Sequence, residues 1–292
     1  MTGTRRFKQV DVFTSVPFKG NPLAVVLGAD GLTDAQMHAV ARWTNLSETT
    51  FALAPIAAQA DYRVRIFSPG VEFPFAGHPT LGTAHALLEA GLQPKTPGRL
   101  VQECGVGLVP IDISADGSLA FRSPEADMKE LHEALYPTLR AALRSDAFST
   151  SPAPVIATMG ISWLVVRMES AEACLAAQPD AAALREFTRM GITGIAMFGA
   201  HGPGGPADLE VRAIFTKLDA LAEDPVTGSA NACIARVLEA QGFPGCAQYA
   251  QSYTARQGTQ LQCDGRIAIR FHDGAAWIGG HSVTVIDGAI RI

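Results

Sequence analysis

The sequence lacks what disulfide frameworks, polyanion-binding surfaces and membrane spans require. Its five cysteines, at 104, 174, 233, 246 and 263, are odd in number and form no CxxC pair. They make no case for a disulfide scaffold or a thiolate metal site, and they fit a reducing cytoplasm. Lys and Arg number 23 against 28 acidic residues, a formal net charge of -5. That balance gives no basic footprint for a nucleic-acid backbone or an anionic membrane, so neither is expected as a partner. No run reaches the roughly 18 apolar residues of a membrane span. Asp11 interrupts the apolar segment that a signal peptide would need behind the basic residues near the amino terminus. There is no GxGxxG after a strand, no P-loop and no His/Cys cluster with metal-ligand spacing. No nucleotide, flavin or metal is therefore expected.

What is present is material for a core. Hydrophobic residues make up 48% of the 292 positions and charged residues 17%, which excludes a disordered composition and allows one large or two ordinary domains. The chain reads as a complete, compact cytoplasmic protein.

Periodicity and turn residues place the elements. FKQVDVFT (7–14) and PLAVVLG (22–28) read as strands around a GNP turn. Thr33 with Gln36 is a capping-box signal before a helix over AQMHAVARW. ETTFALA (48–54) and YRVRIF (62–67) return to strand, and RLVQECG, VGLVPIDIS and SLAFRSP follow as a meander. Residues 124–152 change to a polar, Ala-rich helix and a Ser/Pro-rich stretch, the expected boundary region between halves. Beyond it, ISWLVVRM, GIAMFGA, LEVRAIF, YAQSYTARQGTQLQC, GRIAIRF and AAWIGGHSVTVIDGAIRI read as strands, with a helix over AAALREFTRMG. HGPGGPAD (201–208) reads as an exposed hairpin loop with no chemical role. Clustered strands with few helices define an α+β chain.

Two stretches stand apart. FPFAGHPTLGTAHALLEAG (73–91) and AEDPVTGSANACIARVLEAQG (222–242) each write His or Asp beside Pro, then Gly, Thr or Ser, Ala, and an apolar helix closed by Gly. Laying His78 on Asp224 aligns Pro79 with Pro225 and Gly82 with Gly228, an offset of 146 residues, and suggests two related halves. Each proline is expected just inside a helix start, with Asp224 as N-cap and His78 in the corresponding place. Small residues in the first turn would let a ligand approach the unpaired N–H groups, which together with the helix dipole favour an anion such as a carboxylate. Taken singly, Asp224 is an ordinary cap and His78 an ordinary satisfied polar residue; the doubling is what raises the functional reading. Glu48 opens an apolar strand, either as a solvated edge residue or as a partly desolvated carboxyl with a raised pKa, able to exchange a proton near neutrality.

With these segments assembled, the chain resembles the PhzF family, on VDVFTSVPFKGNPLAVV, NLSETTF, VRIFSPGVEFPFAGHPTLGTA, EDPVTGSANA and QGTQLQCDGRIAI, in the family's order from near residue 9 to near 270. The resemblance implies two pseudo-symmetric diaminopimelate epimerase-like domains, each a curved sheet wrapped around a long central helix, with the active site in the cleft between them. The expected domains are 1–123 and 124–280, with the last strand, about 281–292, packing back on the first.

Epimerases of this fold carry a cysteine near each helix start. The corresponding places here, at or near Ala76 and Asp224 to Pro225, hold no thiol, which disfavours two-thiol racemisation. By similarity, Glu48 matches the catalytic carboxyl group of a cofactor-independent isomerase that moves a proton between carbons of a cyclic diene carrying a carboxylate. His78, Asp224 and Ser229 match its other polar site residues. Gly77 and Gly228 match positions offering backbone amides, Ser47 lies beside the glutamate, and Asn21 in the GNP turn joins them as a substrate-binding candidate. A small-molecule carboxylate is the expected partner, and homodimerisation is implied by the resemblance alone. Two other readings stay open: a non-catalytic small-molecule or protein-binding member, and an amino-acid epimerase using oxygen bases such as Glu48 and Asp224.

Overall fold

The computed structural model describes residues 3–217 and 219–292. By contacts the chain divides into two compact units, Met1–Arg122 with Gly279–Ile292, and Ser123–Ile278. The mixture of sheet and helix within each makes the protein α+β.

The first unit contains β1 (Thr4–Val12), β2 (Asn21–Leu27), α1 (Asp34–Thr44), β3 (Thr49–Leu53), β4 (Tyr62–Phe67), β5 (Glu72–Phe73), α2 (Gly77–Glu89), β6 (Arg99–Cys104), β7 (Gly107–Ile113) and β8 (Leu119–Arg122). β1 and β2 pair antiparallel, β2 and β3 parallel, β3 and β4 antiparallel, and β4 and β6 parallel, before the antiparallel run through β7 to β8. Each parallel step needs a crossover. α1 supplies the first and α2 lies in the second. α1 starts where the sequence placed it: Thr33 Oγ1 accepts from Gln36 N at 3.3 Å and Gln36 Oε1 accepts from Thr33 N at 2.9 Å. Its Met37, Val40 and Ala41 pack on Val26, Phe51 and Phe67.

The second unit contains β9 (Asp127–Glu130), α3 (Tyr136–Leu143), β10 (Val155–Met159), β11 (Ile161–Arg167), α4 (Ala171–Ala176), α5 (Ala181–Arg189), β12 (Gly194–Ala200), β13 (Leu209–Lys217), β14 (Ala220–Asp224), α6 (Gly228–Ala240), β15 (Ser252–Gln257), β16 (Gly265–His272) and the first four residues of β17 (Ala275–Gly280), whose Gly279 and Gly280 belong to the first. Its pairings run antiparallel (β10, β11), parallel (β11, β12), antiparallel (β12, β13), parallel (β13, β15) and antiparallel (β15, β16). Leu139, Leu143, Leu164, Leu184, Phe187 and Met197 form its core. The final strand, β18 (Ser282–Arg291), returns to the first unit and pairs antiparallel with β1.

The structure adds β5, β10, α4 and β14 to the expected elements, and two further segments differ from the sequence expectation. The stretch 124–152 holds β9, whose four residues are all exposed; such an edge strand carries no apolar alternation to betray it. The long strand expected over YAQSYTARQGTQLQC is only six residues, Ser252–Gln257, bounded by short 3₁₀ turns at Ala247–Tyr249 and Thr259–Leu261. The 201–208 segment does join the antiparallel pair β12 and β13 as a largely exposed loop.

α2 and α6 are thirteen residues each and sit in the core rather than on it. Every residue from Gly77 to Ala84 is buried, as are ten residues of α6. A helix apolar on all sides is a core helix. Gly82 shows how tightly α2 is held, since a Cβ there would lie 2.6 Å from Leu23 Cδ2 and 2.7 Å from Val12 Cγ2. Its small size serves packing of α2 on β1 and β2, where the sequence suggested ligand access. Gly82→Val should therefore overpack the first unit and destabilise it by about 1–3 kcal/mol, read as a lowered midpoint in urea or thermal unfolding. An unchanged midpoint would mean that α2 is free to move off the sheet.

Candidate active site

Glu48 is placed by the end of α1. Asn45 closes that helix in the left-handed conformation (φ 52°), which turns the chain so that Glu48 precedes the buried strand β3. Thr44 Oγ1 and Thr49 Oγ1 share a hydrogen bond of 2.8 Å across this turn. The Glu48 side chain is 17% exposed and His78 7%, and Glu48 Oε2 lies 3.5 Å from His78 Nε2. Burial lowers the His78 pKa from 6.5 to about 3, so at neutral pH the imidazole is uncharged. The contact is therefore not an ion pair, and 3.5 Å is long for a hydrogen bond. What remains is a mostly desolvated carboxyl group facing a neutral, polarisable ring.

His78 is the second residue of α2, and the N-cap is Ala76, which makes no side-chain cap. The expected cap position of His78 is thus corrected by two residues: the helix begins before it. Gly77, the first residue of α2, and Asn21, the first of β2, are buried, while Ser47 is exposed. A chain of buried hydrogen bonds fastens this helix start. Tyr62 Oη donates to Gln102 Oε1 (3.0 Å), Gln102 Nε2 to Thr80 Oγ1 (2.9 Å), and Thr80 Oγ1 to Ala76 O (2.9 Å).

In the second unit the expected cap is also displaced. Asp224 ends β14, paired with Ala213, and the N-cap of α6 is Thr227. Pro225 therefore precedes the helix instead of opening it. The Thr227 hydroxyl does not cap the helix; it donates to Asp224 Oδ2 at 2.6 Å and accepts from Gln257 Nε2 at 2.9 Å. Ser229, the second residue of α6, accepts from Trp163 Nε1 at 3.1 Å, which leaves the serine proton to be directed elsewhere. Gly228 opens the helix and is buried. Sequence reasoning missed Trp163, which read as one more apolar strand residue, and Thr227, whose only signal was its place between Pro225 and Gly228.

The first unit thus brings Glu48 and His78 together, and the second ties Asp224 to the first residues of α6. α2 and α6 receive no side-chain cap, and neither does α3, whereas Thr33, Ser170 and Asp180 cap α1, α4 and α5; unlike α3, α2 and α6 each open on a buried glycine. Uncapped first-turn N–H groups and the helix dipole favour an anion. Cys233, the thiol nearest the α6 start, lies in its second turn and burial pushes it up to about 12. It cannot act as a thiolate base near neutrality. Among the described residues no group of acidic, His and Cys side chains is arranged to hold a metal ion, and no helix is long and apolar enough to cross a membrane.

A fold of mixed sheets around buried helices, with carboxyl groups at the helix starts, defines a class, and comparison gives the family. The profile of the phenazine biosynthesis-like (PhzC-PhzF) proteins matches residues 10–288. The antisense-enhancing sequence 1 protein of Schizosaccharomyces pombe is 34% identical over 97% of both chains. The trans-2,3-dihydro-3-hydroxyanthranilate isomerase of Pseudomonas aeruginosa is 35% identical over 77% of this chain and 76% of its own. A PhzF-family protein of Bacillus anthracis shares the fold, with a TM-score of 0.82 at 24% identity over 99% of this chain and all of its own. The chain belongs to the PhzC-PhzF family.

The neutral His78 has a measurable consequence. Its pKa in the fold, about 3, lies below the ordinary 6.5, so between those values the unfolded chain binds a proton that the folded chain does not. Stability contributed by the neutral form is present above pH 6.5 and is lost as pH falls toward 3, by up to about 1.4 kcal/mol per pH unit. Urea unfolding of His78→Asn should show a shallower pH slope than wild type over this window. Identical slopes would mean that His78 is solvated in the native state.

Proposed function

We propose that this protein is an isomerase that moves a proton between carbons of a small, carboxylate-bearing cyclic substrate, with Glu48 as base and then acid and without a cofactor. The observation that carries the reading is the Glu48 carboxyl, 17% exposed and 3.5 Å from a buried His78. A carboxyl in such surroundings is suited to exchange a proton with carbon. Glu48 takes the proton from one carbon, the electron pair of that C–H bond spreads along the diene toward the carboxylate, and Glu48 returns the proton to another carbon. Charge building on the substrate carboxylate calls for fixed donors, and the uncapped start of α2 supports that role. His78, neutral at working pH, orients the substrate. Asp224 and Ser229 take part in the same activity, Asp224 in proton transfer and Ser229 as a hydroxyl donor. Relatives named as isomerases, including those of trans-2,3-dihydro-3-hydroxyanthranilate, support both the reaction type and the substrate class.

The alternative reading is a binding protein without catalysis. One experiment separates the two. The protein is incubated in D₂O with trans-2,3-dihydro-3-hydroxyanthranilate and a panel of cyclic diene carboxylates, and deuterium entering carbon is followed by NMR. The isomerase reading expects incorporation that falls about 10²–10⁴-fold in Glu48→Gln and less in Ser229→Ala. Full activity of Glu48→Gln ends the assignment of Glu48; ligand binding with no incorporation favours the binding protein.

A further inference from the structure

The turn from β14 into α6 is built around the first residue of the QGTQLQC segment. Gln257, the last residue of β15, is completely buried. Gly258 follows it with φ 94°, and a Cβ there would stand 2.5 Å from Pro225 O. The strand end is thus pressed against the Asp224–Thr227 turn, and glycine is required for the approach.

All four hydrogen-bonding positions of the Gln257 amide are used. Oε1 accepts from Thr227 N (3.0 Å) and Asn231 Nδ2 (2.9 Å), and Nε2 donates to Asp224 O (3.0 Å) and Thr227 Oγ1 (2.9 Å). Asn231 Nδ2 also donates to Thr227 O at 3.0 Å. These bonds have only one consistent direction. A peptide N–H can only donate, so the atom facing Thr227 N must be the oxygen, and the amide cannot be flipped. Nε2 then donates to Thr227 Oγ1, and the single hydroxyl proton of Thr227 is left for Asp224 Oδ2, 2.6 Å away. The nearest carboxylate in sequence, Glu223, is occupied by Arg212 at 2.9 Å and does not compete for that proton.

We propose that Gln257 is a positioning residue: acting through the Thr227 hydroxyl, it makes Asp224 Oδ2 a fixed acceptor, so that any proton Asp224 exchanges during the reaction is carried on Oδ1. This inference rests on the reading of Asp224 as a proton-transfer group. It deepens that reading by assigning the two carboxylate oxygens different tasks. Oδ2 holds the group in one rotamer and favours its ionised form, because a donated hydrogen bond stabilises the charged acceptor.

A purely structural clamp would use the same bonds to fasten the helix start, so the test reads Asp224 itself. The side-chain carboxyl of Asp224 is titrated by ¹³C NMR, without substrate, in wild type, Thr227→Val, Thr227→Ser and Gln257→Glu. Thr227→Val keeps the shape and removes the donor; Gln257→Glu puts an acceptor where Nε2 stood, so the Thr227 proton turns away from Asp224. Both should raise the Asp224 pKa by about one unit or more, and Thr227→Ser should restore the wild-type value. With an active substrate, kcat should fall in Thr227→Val and Gln257→Glu while KM changes little. An Asp224 titration unmoved in Thr227→Val, with the fold intact by thermal melting, overturns the proposal. So does a Thr227→Ser variant that behaves like Thr227→Val. Absence of isomerase activity in wild type would instead defeat the functional reading, and the substrate-free titration distinguishes the two failures.

Discussion

The constraint on which the rest depends is that polar groups taken out of water must find partners. α2 and α6 begin inside the protein, and neither receives a side-chain cap. An unmatched buried polar group costs about 1–3 kcal/mol. Each unit sets one fully buried glutamine, on the strand that follows the helix, against that helix start: Gln102 on β6 and Gln257 on β15. Gln102 joins Tyr62 to Thr80 in the first turn of α2, and Gln257 joins Thr227, Asn231 and the Asp224 carbonyl at α6. The helix starts are held by these amides, and their first-turn donors are left for an anion.

The same burial sets the chemistry of the first unit. His78 would be an ordinary titrating imidazole in water. At 6% exposure it is neutral down to acid pH. Beside it Glu48 keeps enough access to meet a substrate. The cysteines are the counter-example: Cys174 and Cys233 are buried and their thiols are pushed up by desolvation with no compensating base, so they serve as core residues. The reactive groups of the proposed mechanism are accordingly oxygen and nitrogen groups, not sulfur.

Much of this was legible in the sequence because it was written in local signals. The Thr33/Gln36 box, the alternating YRVRIF strand and the apolar stretches behind GHPTLG and TGSANA all survive in the structure. What failed was register at the helix starts. Proline imitates a first helical residue, so Asp224 looked like a cap; in fact β14 runs through Asp224 on its pairing with β13, and the helix waits for Thr227. The starts at Gly77 and Gly228 consequently lie five positions further apart than the motif alignment placed them. Gly82 was misread for a related reason, since a small residue needed for close packing looks the same in sequence as one needed for ligand access. Trp163, Thr227, Gln102 and Gln257 act through contacts made across the fold, which local sequence signals do not encode.

The most direct measurement is a crystal structure of the wild-type protein with an unreactive aromatic carboxylate that mimics a cyclic diene acid. The account predicts that the ligand's carboxylate lies against the backbone amides at the start of α2, with its ring in contact with Glu48 and His78. A ligand bound away from Glu48, or a Glu48 carboxyl turned out to solvent in the complex, would contradict it.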